Sequence, residues 1–351
     1  MPKLFMQEKL NSEWPEDVFR TCVMVSKNMD KQKNSEPIVS ILTPVYNGEM
    51  YLVECIESVL AQTYENWEYV IVNNRSTDRS LEIAEKYAAK DSRIRIHTYD
   101  EHLQVMQSLN QSFKQISPES KYCKVIHADD WMFPECVSKM VEAAELHPDV
   151  GIVSAFRLIN KNVGPSGLSY PALNLSGVEI CRRFLLDGEN YFCAPSNILI
   201  RSNLIRNQEK VYDESYLQSD IAACLNFLRD SDFSFIHQVL TFTRRHKSSA
   251  TERIAKKNSA YMFGYLKMYL QYGPVFLDDL ELEEFRKKRI GIYYIQLARN
   301  LYSKNPLKSF KRNKNELESI NTEFSYLKLF YHLIVEFFKV PVLMIIKKVG
   351  E

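Results

Sequence analysis

The sequence of 351 residues predicts an α/β fold, a mostly parallel sheet with helices on both faces, followed by an all-helical C-terminal region. Three observations carry this. From Pro37 to Val153, short β-branched runs alternate with segments of helical periodicity and brief loops. Polar loops at 44–48, 73–78 and 127–131 each follow a predicted strand, so they should share one sheet edge. Beyond Thr251 only helical periodicity remains.

In chain order, residues 1–36 read as an N-terminal extension. Trp14, Val18, Phe19, Val23 and Val25 suit a short amphipathic helix, and 26–36 is a charged linker. Ile38 to Thr43 is an apolar strand, and Pro44 to Gly48 is turn chemistry. Leu52, Val53, Ile56, Val59 and Leu60 have helical spacing within 49–62. A second strand, 68–72, meets the polar loop 73–78, where Ser76 or Asp78 can cap a helix running to about Ala89. Strand 93–98, helix 103–116, strand 122–127, helix 134–146 and strand 150–153 complete the alternation. The rhythm then loosens: a loop at 160–170, a helix at 178–186, strand 198–200, a helix at 216–228 and a β-like run at 233–243. Helices follow at 252–272 (broken at Gly273-Pro274), 279–302 and 306–320. Residues 324–349 are mostly apolar, with a narrow polar stripe of Lys328, His332, Glu336 and Lys339 and the pair Lys347-Lys348 near the end. The expected organisation is therefore 1–36, 37–250 and 251–351.

Composition excludes several classes. Lys+Arg is 45 against Asp+Glu 44, so no bulk charge argues for nucleic acid. Seven cysteines lie scattered without a CxxC pair, and no signal-peptide pattern opens the chain, which reads as reduced thiols in a cytosolic protein. No uncharged apolar stretch reaches the ~18–20 residues needed to span a bilayer. No GxGxxG or P-loop follows any strand, so neither a dinucleotide oxidoreductase nor a P-loop enzyme is supported.

The chemistry centres on Asp129-Asp130, adjacent carboxylates at the end of a strand. Two such acids repel unless a cation joins them to something anionic, and hard oxygen ligands suit magnesium or manganese. By themselves they could equally be an acidic turn capping the next helix.

Several motifs in order resolve this. Val39 to Asn47, Tyr51 to Thr63, Val70 to Asp78, Ala128-Asp129-Asp130 and Pro134-Glu135 resemble family 2 glycosyltransferases, inverting enzymes of the Rossmann-like GT-A fold that use nucleotide sugars. The resemblance is strong over about a third of the chain and extends loosely to about Ser249. It implies transfer from a nucleoside-diphosphate sugar to a saccharide or lipid-linked acceptor in cell-surface polysaccharide assembly, with Mn or Mg as cofactor. It assigns Pro44 and Tyr46 to the nucleotide, Tyr46 stacking on the base. Asn73 stands where relatives usually carry an acid that reads the base edge, and Asp129 is assigned to ribose or a metal-bound water. Asp130 and His246 become metal ligands, although His127 replaces an acid common in relatives. Arg244 and Arg245 fall where relatives hold the diphosphate. Asp220, at a helix start, becomes the base for the acceptor hydroxyl, with Glu214 its nearby competitor. The contrasting reading is an inactive nucleotide- or sugar-binding protein on the same fold, which would not need an acid at 220. The segment 324–349 is a candidate peripheral contact with the inner face of a membrane.

Overall fold

A computed structural model describes residues 36–164, 168, 174–192, 194–216, 218–246, 249, 259–301 and 306–336. The expected N-terminal extension and the apolar end, 337–351, lie outside the described residues.

The sheet forms where apolar runs alternate. In β1 (Val39–Val45), Val39, Ile41 and Val45 enter one core and Leu42 the other. In β2 (Trp67–Asn73), Tyr69 and Ile71 take the first core, Val70 and Val72 the second. This period of two on a sheet buried on both faces explains runs with no polar side. β1 pairs in parallel with β2 and with β4 (Tyr122–Val125), and β2 in parallel with β3 (Ile94–Thr98). The carboxyl ends of β1, β2 and β4 therefore lie at one edge, as the spacing of the polar loops predicts.

The other half of the sheet is mixed. β9 (Ile198–Arg201) runs antiparallel between β4 and β6 (Val150–Ile159). β10 (Asp232–Thr243) runs parallel to β6, and β5 (Trp131–Met132) pairs antiparallel with the end of β10. The full path is β3-β2-β1-β4-β9-β6-β10-β5, with β7 (Asn162–Gly164) on β6 and β8 (Asn174–Leu175) on β10. Two expectations change here. The loop expected at 160–170 contains a short hairpin strand, because β6 runs on to Ile159. The polar loop expected at 127–131 ends in a short strand, in which Trp131 stacks on Phe242 at 5.0 Å.

Helices α1 (Leu52–Leu60), α2 (Ser80–Ala88) and α4 (Cys136–Leu146) cover one face. Helices α3 (Val105–Phe113), α5 (Gly177–Asp187) and α7 (Ser219–Phe227) cover the other, and α6 (Ser202–Arg206) follows β9. The C-terminal helices are α8 (Ser259–Phe276), α9 (Asp279–Leu301), α10 (Pro306–Ser319) and α11 (326–336). α8 packs on α5 and α7 through Met268, Tyr272 and Phe276. Leu266, Tyr294, Leu297, Leu317 and Leu329 tie the four together. The break expected at Gly273-Pro274 does not occur. Pro274 falls one turn from the end of α8, where Leu277 N–H closes on Gly273 O at 3.0 Å and Phe276 is buried.

Candidate active site

The site assembles where β1, β2 and β4 end. The turn after β1 is clamped by the loop after β2: Asn47 Oδ1 accepts from Thr77 N–H at 2.8 Å, and Ser76 Oγ accepts from Asn47 N–H at 3.1 Å. Asn47 and Arg75 have φ of 51° and 61°, left-handed conformations that Asn adopts most readily. A Cβ on Gly48 would meet Val45 Cγ2 at 2.8 Å and Ala128 Cβ at 3.4 Å, so glycine lets this turn sit against the acidic loop.

Tyr46 is 43% exposed and its ring lies 4.2 Å from that of His102. The pair forms an aromatic platform, of which sequence reasoning found only Tyr46. Pro44 is half-buried in β1 beside Val72. Asn73 is buried, with Oδ1 accepting from Ser76 N–H at 3.0 Å. Asn74 holds the far loop, donating to Leu103 O and accepting from Leu103 N–H, each at 2.8 Å. Asn73 thus fixes its own loop, and Asn74 fixes the loop at 103 beside it.

Asp130 is 4% exposed. It accepts from Arg244 N–H at 3.0 Å and from the Ser196 hydroxyl. Burial pushes its carboxyl above the usual range, and the Asp129 charge adds to this, while His127 and these hydrogen bonds oppose it. Asp129 is more open and contacts His246 Nε2 through Oδ2 at 2.9 Å. His246 therefore sits on Asp129 here, and its ring lies 5.1 Å from Tyr51.

Arg244 and Arg245 separate. Arg244 spans the site: Nε donates to Asp129 O at 3.2 Å, Nη2 pairs with Glu54 at 2.5 Å, and the guanidinium covers Tyr51 at 4.4 Å. It fastens the end of β10 to α1 and the acidic turn. Arg245 is anchored by its backbone to Asn160, and its side chain is exposed.

The helix start carrying Asp220 comes to the same edge. Asp220 keeps some solvent contact, yet enough protein surrounds it that its pKa is pushed up from 3.8 to about 6 by burial. The Ile221 N–H, His127 and Arg157 oppose the rise. His127 thus faces Asp130 and Asp220 together. Glu214 differs: Asn110 and Lys210 hold it ionised below the usual range, a poor proton acceptor.

Two supports, Lys124 and Arg157, were invisible in sequence. Lys124 is fully buried, and Nζ donates to Ser196 O at 2.6 Å and Ile198 O at 3.2 Å. This pins the 3₁₀ turn Pro195–Asn197, from which Ser196 reaches Asp130 and accepts from His127 N–H at 3.1 Å. Arg157 is 8% exposed, with its Nε lacking a hydrogen-bond partner. A lysine in a strand run gives no such signal, because its partners lie over 70 residues away.

Among the described residues no three His, Cys, Asp or Glu side chains cluster to hold a metal alone. Asp130 with Asp129 or His246 supplies a partial shell of hard donors, which suits a cation that completes its shell with water and diphosphate oxygens.

Residues 40–208 match the sequence profile described as Glycosyl transferase family 2. An uncharacterized glycosyltransferase of Rickettsia typhi is 29% identical over 284 residues, 76% of this chain and 86% of that protein. The Bacillus subtilis glycosyltransferase named EpsE is 32% identical over 155 residues, 42% of this chain and 55% of its own length. Among solved structures, S. aureus TarS 1-349 superposes with a TM-score of 0.61 at 15% identity, covering 80% of this chain and 79% of that one. The same protein in complex with UDP-GlcNAc gives 0.59 at 17% identity, covering 80% of each. These likenesses show a shared GT-A fold.

Proposed function

Through residues 40–208 the chain belongs to glycosyl transferase family 2, and from that premise we propose that it is an inverting glycosyltransferase moving a sugar from a nucleoside diphosphate to a saccharide or lipid-linked acceptor. The observation that carries this is the convergence of three elements at one sheet edge: the Tyr46–His102 platform, the Asp129-Asp130 turn, and Asp220 with its raised pKa. An inactive binding protein needs the first two and has no use for the third.

In the proposed reaction the base lies on Tyr46, and Asp129 receives the ribose. Asp220 takes the proton from the acceptor hydroxyl as its oxygen bonds C1 of the sugar. The C1–O bond to the diphosphate breaks on the opposite face, and the nucleoside diphosphate leaves with the electron pair. A pKa near 6 suits this base, which is ionised at neutral pH yet more basic than an ordinary aspartate. A divalent Mg or Mn, when bound by Asp130 and His246, supplies positive charge to the departing diphosphate. Arg245, exposed at the site edge, serves the same charge, while Arg244 holds the acidic turn in position.

Polysaccharide assembly at a cytoplasmic membrane face is the proposed setting. Among the described residues no helix is long and apolar enough to cross a membrane. Supporting a peripheral contact, Leu307, Leu327, Phe330 and Tyr331 are exposed on α10 and α11, beside Lys308, Lys311 and Arg312.

Calorimetry with UDP, GDP, dTDP and CDP, with and without manganese, tests the reading. One nucleotide should bind in a metal-dependent way, and Asp130→Ala should abolish it. Failure of all four to bind would refute the transferase reading.

A further inference from the structure

A cavity of about 240 Å³ lies between α5, α8 and α9, outside the nucleotide half of the site. Its walls include Phe184, Asn190, Tyr265, Tyr269, Arg289 and Ile292. Tyr261, Tyr265 and Tyr269 form a ladder along α8, with centroids 5.3 and 5.7 Å apart. Arg289 lies over Tyr269 at 4.2 Å and donates Nη2 to Leu185 O at 2.6 Å, while its Nε is buried with no hydrogen-bond partner. Among the described residues no carboxylate forms an ion pair with Arg289.

The helix α8, which forms one wall of this cavity, also packs against the element that carries the proposed base. A Cβ on Gly264 would fall 2.0 Å from Gln218 Oε1, so α8 lies directly against the start of the helix that carries Asp220. Tyr265 is the next residue along, and the Asp220 charge helps push its hydroxyl pKa up, after burial and the neighbouring tyrosines. Gln218 is 3% exposed, yet neither atom of its amide has a partner. A buried amide without partners is costly unless something else satisfies it. On the other wall, the segment after Asn190 runs into the Pro195–Asn197 turn that contacts Asp130.

An aromatic wall beside a guanidinium whose Nε lacks a partner matches a sugar ring, which is apolar on its faces and rimmed with hydroxyls. We propose that this cavity is the acceptor subsite: a pyranose of the acceptor saccharide stacks on Tyr265 and bonds Arg289, and its neighbouring unit extends towards Asp220. The C-terminal helices then select the acceptor, and the nucleotide half of the sheet selects the donor. This rests on the transferase reading.

Saturation-transfer NMR with methyl glycosides of glucose, galactose, N-acetylglucosamine and glucuronic acid tests it on the full chain. At least one should give signals with wild type. These should fall about fivefold or more in Tyr265→Ala, the loss of one stacking contact. Ile292→Trp, which fills the cavity from its rim without emptying the core, should abolish them. Nucleotide binding, measured on the same samples, should be unchanged in both variants. Saccharide signals that survive both variants, or a wild type silent to all four glycosides, would overturn the subsite. Absence of nucleotide binding in wild type beside cavity-dependent saccharide signals would instead overturn the transferase reading alone.

Discussion

Asp220→Asn should make the protein a poorer catalyst and a more stable fold. The carboxylate lies where burial raises its pKa from the ordinary 3.8 to about 6. At about 1.4 kcal/mol per unit, ionising it in the folded state costs about 3 kcal/mol at neutral pH. The sign follows from protons bound. Below about pH 4 both folded and unfolded chains hold the proton, and there is no cost. The cost builds as pH rises from 4 to 6, where only the folded chain still holds it, and is complete above. Asparagine keeps the shape and the bond from Ile221 N–H, 2.8 Å in the wild type, without the charge. At pH 7.5 its Tm should rise by about 5 °C, an advantage that disappears near pH 4. Its turnover should fall by about 10²–10⁴, the worth of a general base, with nucleotide affinity unchanged. Wild-type turnover should fall about tenfold per pH unit below 6 as the base protonates. Thermal melts across pH and initial rates of nucleoside-diphosphate release check these together. A Tm advantage as large at pH 4 as at 7.5 would refute the buried-charge argument, and a turnover loss under tenfold would remove Asp220 from the proton transfer.

Tyr46→Ala should weaken nucleotide binding by about fivefold to tenfold, by loss of a stacking face, read by calorimetry. Unchanged affinity would mean that the base lies elsewhere. Lys124→Met should cost about 1–3 kcal/mol by denaturant melt, since it strands two buried carbonyls, and should also weaken metal-dependent nucleotide binding by releasing the Ser196 turn. A stability loss with binding intact would limit Lys124 to packing. Wild type should sediment with anionic phosphatidylglycerol vesicles and much less with neutral phosphatidylcholine, and the double variant Leu327→Asp/Phe330→Asp should stay in solution. Equal sedimentation of both proteins would exclude α11 as the contact.

The continuous apolar runs at 38–43 and 68–72 pointed by themselves to a sheet covered on both faces, because a strand with no polar side has to be buried on both. The polar loops after β1, β2 and β4 were legible for the same reason: parallel neighbours present their carboxyl ends together. Asp129 and Asp130 could be proposed because they stand at a strand end within a recognisable string of residues, and Asp220 because it stands at a helix start where the resemblance implies an acid. Three matters were decided only by tertiary structure. His127 could be read only as a missing acid, yet the fold sets it facing two carboxylates. Arg244 and Arg245 look alike in sequence, and only the approach of Glu54 and Tyr51 turns one into a strut. The aromatic cavity on α8 uses tyrosines that, in the linear chain, are indistinguishable from core positions. Local pattern reports what a residue prefers to be beside along the chain. Charge, pKa and hydrogen-bond satisfaction depend on partners tens to hundreds of residues away, so they exist only once the sheet and its helices have closed.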